Sequence, residues 1–212
     1  MSAYSLKLSF TPQQLTVLYG ARALLAIGKA LNGGLPGLRW LTFQPFEWNT
    51  VTWEEQYGIY ASLAGVSAGG SVTQVCKSDF PASAGRLYAL QPQGCFGPPT
   101  AEEGLDPASY YAANSVAGVP GVTLGLFQNA QVNGLEPSIG PVSAALTPHA
   151  SRARMTPDTT VYVWIQSFGE GEAGVSQVAS SQTRIAFADG ITSRAFAFDS
   201  STGTFVPSAA GA

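Results

Sequence analysis

Residues 38–62 read LRWLTFQPFEWNTVTWEEQYGIYAS and hold seven of the 23 aromatic side chains of the chain. Three of the four tryptophans are among them, with three glutamates between the rings and Asn49 directly after Trp48. Aromatic rings combine a large apolar area with a polar handle, so such a block either builds a core or lines a ligand site. Pro45 predicts that one of its two or three strands lies at an edge or a bulge.

The sequence on both sides of this block predicts further short strands. Residues 4–10 alternate apolar and polar side chains, which is the period of a half-buried strand. Other strands are predicted at about 71–77, 86–90, 122–128, 142–147, 159–166, 175–179, 183–187, 193–198 and 204–206. This pattern predicts a mainly β fold, an antiparallel β-sandwich or barrel-like domain with one short N-terminal helix. We expect a single domain over residues 1–207 and a disordered tail at 208–212.

The short helix is predicted to begin after Thr11. Thr11 is suited to the N-cap, Pro12 to the first helical position, and Gln14 completes a capping box. Gly20 is a plausible end of the helix. The apolar run at 21–31 either continues the helix or forms a buried strand, and we favour the strand.

Two hairpins and a long connection are predicted in the rest of the chain. Asp189-Gly190 is expected to join strands 183–187 and 193–198, and a second turn at 200–203 leads into the last strand. The glycine-rich residues 65–70 lack the Lys-Ser/Thr of a phosphate-binding loop and indicate another hairpin loop. Residues 96–121 are rich in Pro and Gly and predict a long functional or mobile loop.

Composition excludes several classes of partner. Charged residues make up 11% of the chain, against about 25% in an average protein. The net charge is −3 and no run of Lys or Arg exists, so neither nucleic acid nor an anionic membrane surface is an expected partner. The first residues lack the pattern of a signal peptide, and the longest apolar stretch is too short to span a bilayer. A cytoplasmic location is therefore expected.

Catalytic and metal-binding signals are weak, so we do not expect an enzyme. The single histidine, His149, lies in a loop beside a proline, and no Gly-x-Ser-x-Gly motif surrounds any serine. Cys76 and Cys95 are either two ordinary thiols or the two halves of one disulfide bond. The disulfide bond requires their Cα atoms to lie within about 7 Å. One histidine and two cysteines disfavour zinc. Calcium or magnesium stays open through the loop carboxylates at 102–106 and 170–172.

The aromatic block admits two interpretations, a core and a pocket. In the first, Trp53, Tyr57 and Trp164 belong to the core. In the second, polar residues mixed with rings line a site for a small, flat aromatic molecule. The side chains expected to bind that molecule are Trp40, Phe46, Trp48, Asn49, Trp53 and Tyr57.

Three alternatives use the same features. Rings beside Asn and Glu also suit a carbohydrate-binding lectin. Residues 11–31 would form one amphipathic helix in a membrane-acting, pore-forming toxin, with the aromatic block as an interfacial belt. The glutamates among the tryptophans resemble the acid and base of a glycosidase, although Glu47 and Glu55 are expected to point outward.

Four runs of the sequence together carry a family resemblance: FTPQQL, FQPFEWNTVTWEEQYGIYAS, GLFQNAQVNG and VYVWIQS. They resemble intracellular β proteins of mushrooms and some bacteria, a group that includes the pink chromoprotein of oyster mushrooms. The resemblance implies a dimeric, β-rich protein that carries a small indole-derived pigment as an organic chromophore. A homodimer is also expected because an exposed aromatic patch favours symmetric association.

Overall fold

A computed structural model describes residues 3–63, 72–135, 138–167, 177–178 and 180–208. The hairpin loop predicted at 65–70, the carboxylates at 170–172 and the tail beyond residue 208 lie outside the described residues. The elements follow one another as β1 (Ala3–Ser9), α1 (Pro12–Gly20), β2 (Ala23–Leu31), β3 (Leu41–Phe43), β4 (Trp48–Glu54), β5 (Gly58–Ser62), β6 (Cys76–Lys77), β7 (Leu87–Leu90), β8 (Tyr110–Asn114), β9 (Val122–Val132), β10 (Ser138–Pro141), β11 (Ala145–Thr147), β12 (Arg152–Met155), β13 (Pro157–Ser167), β14 (Gln177–Val178), β15 (Thr183–Ala186), β16 (Ser193–Asp199) and β17 (Thr204–Pro207).

The chain is mainly β with one short helix, which confirms the predicted fold class. Its described strands form three sheets. The first has the order β17-β16-β1-β4-β9-β5-β6, with β10 and β11 also on β9; the second is β14-β13-β2-β3, with β15 on β13; the third is β12-β8-β7. All three contribute to one apolar core, for example through Leu124, Ile27 and Ala112. The domain is therefore sandwich-like, with its core between the sheets.

The aromatic block supplies two strands, β4 and β5, that pair with successive parts of β9. Both lie on the edge of β9 opposite to β10, because β10 pairs with Ala130 and Phe127 from the other side. The last β4 residue paired with β9 faces Ala130, and the first residue of β5 faces Phe127. Residues 54–57 of the block therefore lie opposite residues 128 and 129 of β9. This excess of two residues on one strand is a β-bulge. Because side chains alternate along a strand, two extra residues keep the same face towards the core. That face carries Trp53, Glu55 and Tyr57.

Gln128 lies opposite this bulge and binds both the bulge and Trp40. Its side-chain Nε2 donates to the Glu54 carbonyl at 2.7 Å, and its own carbonyl accepts the indole N–H of Trp40 at 3.1 Å. The bulge is thus fixed from within the sheet. The expectation that Glu55 points outward is wrong, because the bulge directs its carboxylate into the core, where it contacts Lys29.

The helix α1 has the predicted capping box. The Gln14 backbone N–H donates to Thr11 Oγ1 at 3.3 Å, and the Thr11 N–H donates to the Gln14 side chain at 2.9 Å. The helix ends at Gly20, and β2 follows as the favoured strand, so the single helix over 11–31 assumed for a toxin does not form. Among the described residues, no helix is long and apolar enough to cross a membrane.

The long-range arrangement of the strands differs from the prediction in three respects. The proposed long loop contains β8, the central strand of the third sheet. Asp189 and Gly190 do make a turn with positive φ, but β15 pairs with β13 and β16 pairs with β1, so the turn passes between sheets. The pairs β1–β16 and β7–β8 are parallel. The hairpin of β16 and β17 is confirmed.

Candidate functional site

A lysine occupies a core position on β2. The side chains of Leu25 and Ile27 belong to the core, and alternation along the strand places Lys29 on the same face. Lys29 is 1% exposed. Lysine is almost never fully buried unless it is paired, so this position requires a partner from the facing sheet.

Glu55 supplies that partner from the bulge. Lys29 Nζ lies 2.7 Å from Glu55 Oε1 and donates to the Tyr57 hydroxyl at 2.9 Å. The Trp53 indole N–H donates to the same carboxylate oxygen at 2.8 Å, and the Tyr57 hydroxyl donates to Glu55 Oε2 through a short hydrogen bond. One carboxylate therefore accepts from three side chains.

Three rings surround the ammonium group. Lys29 Nζ lies 5.3 Å from the centroid of the Trp40 ring, 5.4 Å from that of Trp53 and 5.2 Å from that of Tyr57. These distances are within the range of cation–π attraction. We call the five residues Lys29, Trp40, Trp53, Glu55 and Tyr57 the Lys29 cage.

Burial dominates the electrostatics of the cage. Loss of hydration lowers the pKa of Lys29 below its ordinary value, and the charge and hydrogen bond of Glu55 oppose this effect. Burial also raises the pKa of Tyr57 well above its ordinary value, and the negative charge of Glu55 adds to the increase. The cage therefore favours a neutral Tyr57 hydroxyl and weakens the hold of Lys29 on its proton.

A second layer of rings fixes the walls of the cage. Tyr4 stacks on Trp53 with ring centroids 5.6 Å apart and an interplanar angle of 12°. Phe187 meets the edge of Trp53 at 5.2 Å, and Tyr110 meets Tyr57 at 5.7 Å. The indole of Trp53 is therefore held on two sides by rings and at its nitrogen by Glu55.

One depression on the surface has Lys29 in its lining. Its volume is about 220 Å³, and its lining includes Lys29, Leu31, Val142, Arg154 and Met155. We call it the Lys29 depression. The buried members of the lining are largely apolar, and Lys29 is the cage residue among them. A cavity of about 150 Å³ holds one benzene ring, so the depression suits a molecule of roughly one or two rings.

A larger depression of about 370 Å³ lies elsewhere and includes Thr52, Trp53 and Glu54 in its lining. Thr52 and Glu54 point to the face of β4 opposite the Trp53 indole, because neighbouring side chains alternate. This depression therefore opens on the outer face of the first sheet, and Trp53 is the cage residue in its lining.

The structure separates the side chains predicted to bind a ligand into two groups. Trp40, Trp53 and Tyr57 come together in the cage. Phe46 and Trp48 lie on the surface, 51% and 62% exposed.

Asn49 is buried and is bound to the backbone of Leu8 and Phe46. Its Nδ2 donates to the Leu8 and Phe46 carbonyls at 3.1 and 2.7 Å, and its Oδ1 accepts the Phe46 N–H at 2.9 Å. The amide therefore holds the loop before β4 in shape.

Sequence reasoning missed Lys29 and the role of Glu55. The charge of Lys29 interrupts the apolar run at 21–31, but its pairing with the aromatic block was not predicted. A usable signal was present, because Leu25, Ile27, Lys29 and Leu31 share one face of a strand that is otherwise apolar. A charge on such a face requires a counter-charge, and Glu55 lies on the mixed face of the aromatic block.

The other candidate groups have local structural partners. Glu102 pairs with Arg152 at 2.8 Å, and Asp106 pairs with Arg154 at 2.6 Å. Over the described ranges, no three His, Cys, Asp or Glu side chains are grouped so as to hold a metal ion.

The two cysteines and the single histidine are the remaining candidate groups. Cys76 and Cys95 are unbridged. The Nδ1 atom of His149 lies 3.0 Å from the Val116 carbonyl.

No family model, curated protein or solved structure matches this chain. The class of the protein must therefore be argued from the cage itself, and the resemblance to the mushroom β proteins stays a proposal.

Proposed function

We propose that this chain is a non-enzymatic binding protein that holds one small, flat, mainly apolar molecule at the Lys29 cage. The observation that carries the proposal is a buried lysine, paired with a glutamate and surrounded by two indoles and a phenol, that lines a surface depression. Ligand sites commonly combine apolar and aromatic walls with a few polar groups that fix orientation.

Stability alone is a weak explanation for the cage. Apolar residues of similar size often replace a buried ion pair with no loss of stability, because the cost of desolvation offsets much of the attraction between the charges. A role in holding a ligand explains both the charges and the contact of Lys29 with the depression.

The bound molecule is proposed to be an organic pigment. The resemblance to the mushroom β proteins supports an indole-derived chromophore, and the rings of the cage suit a flat conjugated molecule. Colour would then belong to the ligand. Protein purified from its native source is expected to show an absorption band beyond 300 nm, together with extra mass that is lost on denaturation.

The site of binding is tested by equilibrium dialysis of 2-naphthalenemethanol against three tryptophan variants. Trp40→Phe and Trp53→Phe are expected to weaken retention of the probe. Trp164→Phe is the matched control, because Trp164 is also buried but packs with Ala26 in a separate cluster. Equal loss in all three variants, or no loss in any, contradicts binding at the cage.

The exposed pair Phe46 and Trp48 favours a second candidate, the binding of glycans. Exposed rings stack on the apolar faces of sugars, and this pair lies outside the core. A glycan array tests this function directly. Binding that is lost in Trp48→Ala and kept in Trp53→Phe would assign it to the surface pair, whereas an array without signal removes it.

A further inference from the structure

We propose that Lys29 holds its ligand covalently, as an imine formed with a small aromatic aldehyde or ketone. This inference rests on the proposed function, because it names the chemical class of the molecule bound at the same cage. It assigns to Lys29 the role of the attacking amine and to Glu55 that of its proton acceptor and counter-charge.

Lys29 differs from the other lysines of the chain in its surroundings. The sequence contains three lysines, and Lys7 and Lys77 are exposed. Lys29 alone lies in an aromatic enclosure with its stem against the Lys29 depression. Attack on a carbonyl requires the neutral amine, and burial favours that form of Lys29 by lowering its pKa.

Glu55 is placed to move the protons that the reaction requires. Its Oε1 atom lies 2.7 Å from Lys29 Nζ and can accept a proton from the ammonium group. The neutral nitrogen then attacks the carbonyl carbon, and a C–N bond forms. The nitrogen, now positively charged, passes one of its protons to the former carbonyl oxygen, which becomes a hydroxyl group. Glu55 returns its proton to that hydroxyl, the C–O bond breaks, water leaves and a protonated imine remains. No oxidant or reductant is consumed.

The surroundings of the cage favour the product. The protonated imine keeps the single positive charge of Lys29, so Glu55 remains its counter-charge. Water is limited in a core position, which slows hydrolysis of the imine. The rings of Trp40 and Tyr57 lie near the nitrogen, and the apolar side chains of Leu31 and Met155 line the depression where the rest of the ligand would lie.

The ligand class follows from this geometry. The depression of about 220 Å³ accepts roughly one or two rings. A carbonyl carbon attached directly to such a ring system would reach Lys29 with the rings in the depression. Aldehydes and ketones are therefore the expected class, and the corresponding alcohols are matched compounds that cannot form an imine.

The test is reductive trapping on the full chain. The protein is incubated near neutral pH with benzaldehyde or 2-naphthaldehyde and sodium cyanoborohydride, which reduces an imine to a stable amine. Trypsin digestion then locates the label, since alkylation of Lys29 blocks cleavage and yields the peptide 23–39. We expect labelling of Lys29 to exceed that of Lys7 and Lys77 by roughly tenfold or more, because the cage holds the carbonyl beside the amine.

Variants separate a specific reaction from general amine chemistry. Lys29→Arg keeps the positive charge but cannot form an imine, so its label should vanish, while Lys77→Arg should leave labelling of Lys29 unchanged. Glu55→Gln should slow the labelling of Lys29. The comparison of the three lysines in the unaltered protein shows whether labelling is specific to Lys29, even when a variant does not fold.

Equilibrium dialysis of the aldehydes and the matching alcohols distinguishes the two proposals. Label concentrated on Lys29, with the aldehyde retained more strongly than the alcohol, supports the imine. Equal retention of both compounds without label on Lys29 overturns the imine and leaves the binding function intact. Label confined to Lys7 and Lys77, with neither compound retained, overturns both proposals.

Discussion

Lys29 and Trp53 donate to the same oxygen atom: both the ammonium group and the indole N–H bind Glu55 Oε1, at 2.7 and 2.8 Å. Lys29 belongs to the second sheet and Trp53 to the first. A single carboxylate oxygen therefore joins two layers of the domain at the point where the aromatic rings meet.

Replacement of Glu55 by Gln tests how strongly this oxygen matters for stability. Gln keeps an acceptor of similar shape but leaves the buried Lys29 charge without a counter-charge. We expect a loss of about 3 kcal/mol in the free energy of unfolding, near the lower end for a broken buried pair, because Lys29 can release its proton instead. Urea unfolding at pH 7 measures the loss.

The matched control for this variant is Glu102→Gln. Glu102 pairs with Arg152 on the surface, where both side chains are more than a third exposed. Such pairs contribute about 0–1 kcal/mol, so little change is expected. Equal losses in the two variants would show that the burial of Lys29 does not increase the contribution of its ion pair to the free energy of unfolding.

A double variant, Lys29→Met with Glu55→Gln, is expected to be more stable than Glu55→Gln alone by about 1–2 kcal/mol. It removes both charges, so no unpaired ammonium remains in the core, and the thioether of Met fills much of the space. A double-mutant cycle in urea measures the coupling between the two positions. Strictly additive losses would contradict the buried pair.

Stability is expected to fall as the pH rises above 10. Burial and the charge of Glu55 raise the pKa of Tyr57 well above its ordinary value, and burial also raises the pKa values of Tyr60 and Tyr110. Unfolded tyrosine ionises near pH 10, whereas these folded side chains keep their protons. The folded state then binds more protons than the unfolded state, so the free energy of unfolding decreases with pH.

Tyr57→Phe tests the contribution of one of these groups. The variant lowers by one the difference in the number of bound protons between the folded and unfolded states. The slope of unfolding free energy against pH should therefore become shallower by up to about 1.4 kcal/mol per pH unit above pH 10. Lys29 acts in the opposite sense below this range: its pKa is lowered in the folded state, so its contribution to stability rises as the pH approaches the ordinary pKa of lysine. An unchanged slope in Tyr57→Phe would contradict the assignment.

Gly58→Ala tests the packing of β5 against β9 just after the bulge. A Cβ atom at Gly58 would collide with the ring of Phe127. Overpacking of this kind costs about 1–3 kcal/mol, measured as a shift in the urea midpoint. Gly20→Ala is the control, because that position has open space around it. A loss in Gly20→Ala as large as that in Gly58→Ala would exclude the collision as the cause.

Local signals in the sequence predicted local structure well. The capping box of Thr11 and Gln14 forms as expected, and β2 and the hairpin of β16 and β17 follow from apolar runs and turn residues. The predicted core positions of Trp53, Tyr57 and Trp164 are confirmed by their burial. These features depend on neighbours within a few residues, so the sequence contains the information directly.

Pairings between distant segments were not predictable in this way. Asp189-Gly190 has the residues of a hairpin turn, but the partners of β15 and β16 lie in different sheets. The inward direction of Glu55 depends on a bulge that is defined against β9, more than 70 positions away in the sequence, through Gln128. The predicted homodimer stays a prediction, which sedimentation equilibrium tests.

The bulge before β5 has a consequence for changes in chain length. Since the faces of a strand repeat every second residue, removal of two residues there would join β4 and β5 into one regular strand and keep the core intact, at the expense of Glu55. Removal of one residue would instead turn every side chain of β5 to the wrong face. A change of chain length at this point therefore keeps the faces of β5 only in even steps, and a deletion that includes Glu55 leaves the buried Lys29 without its carboxylate partner.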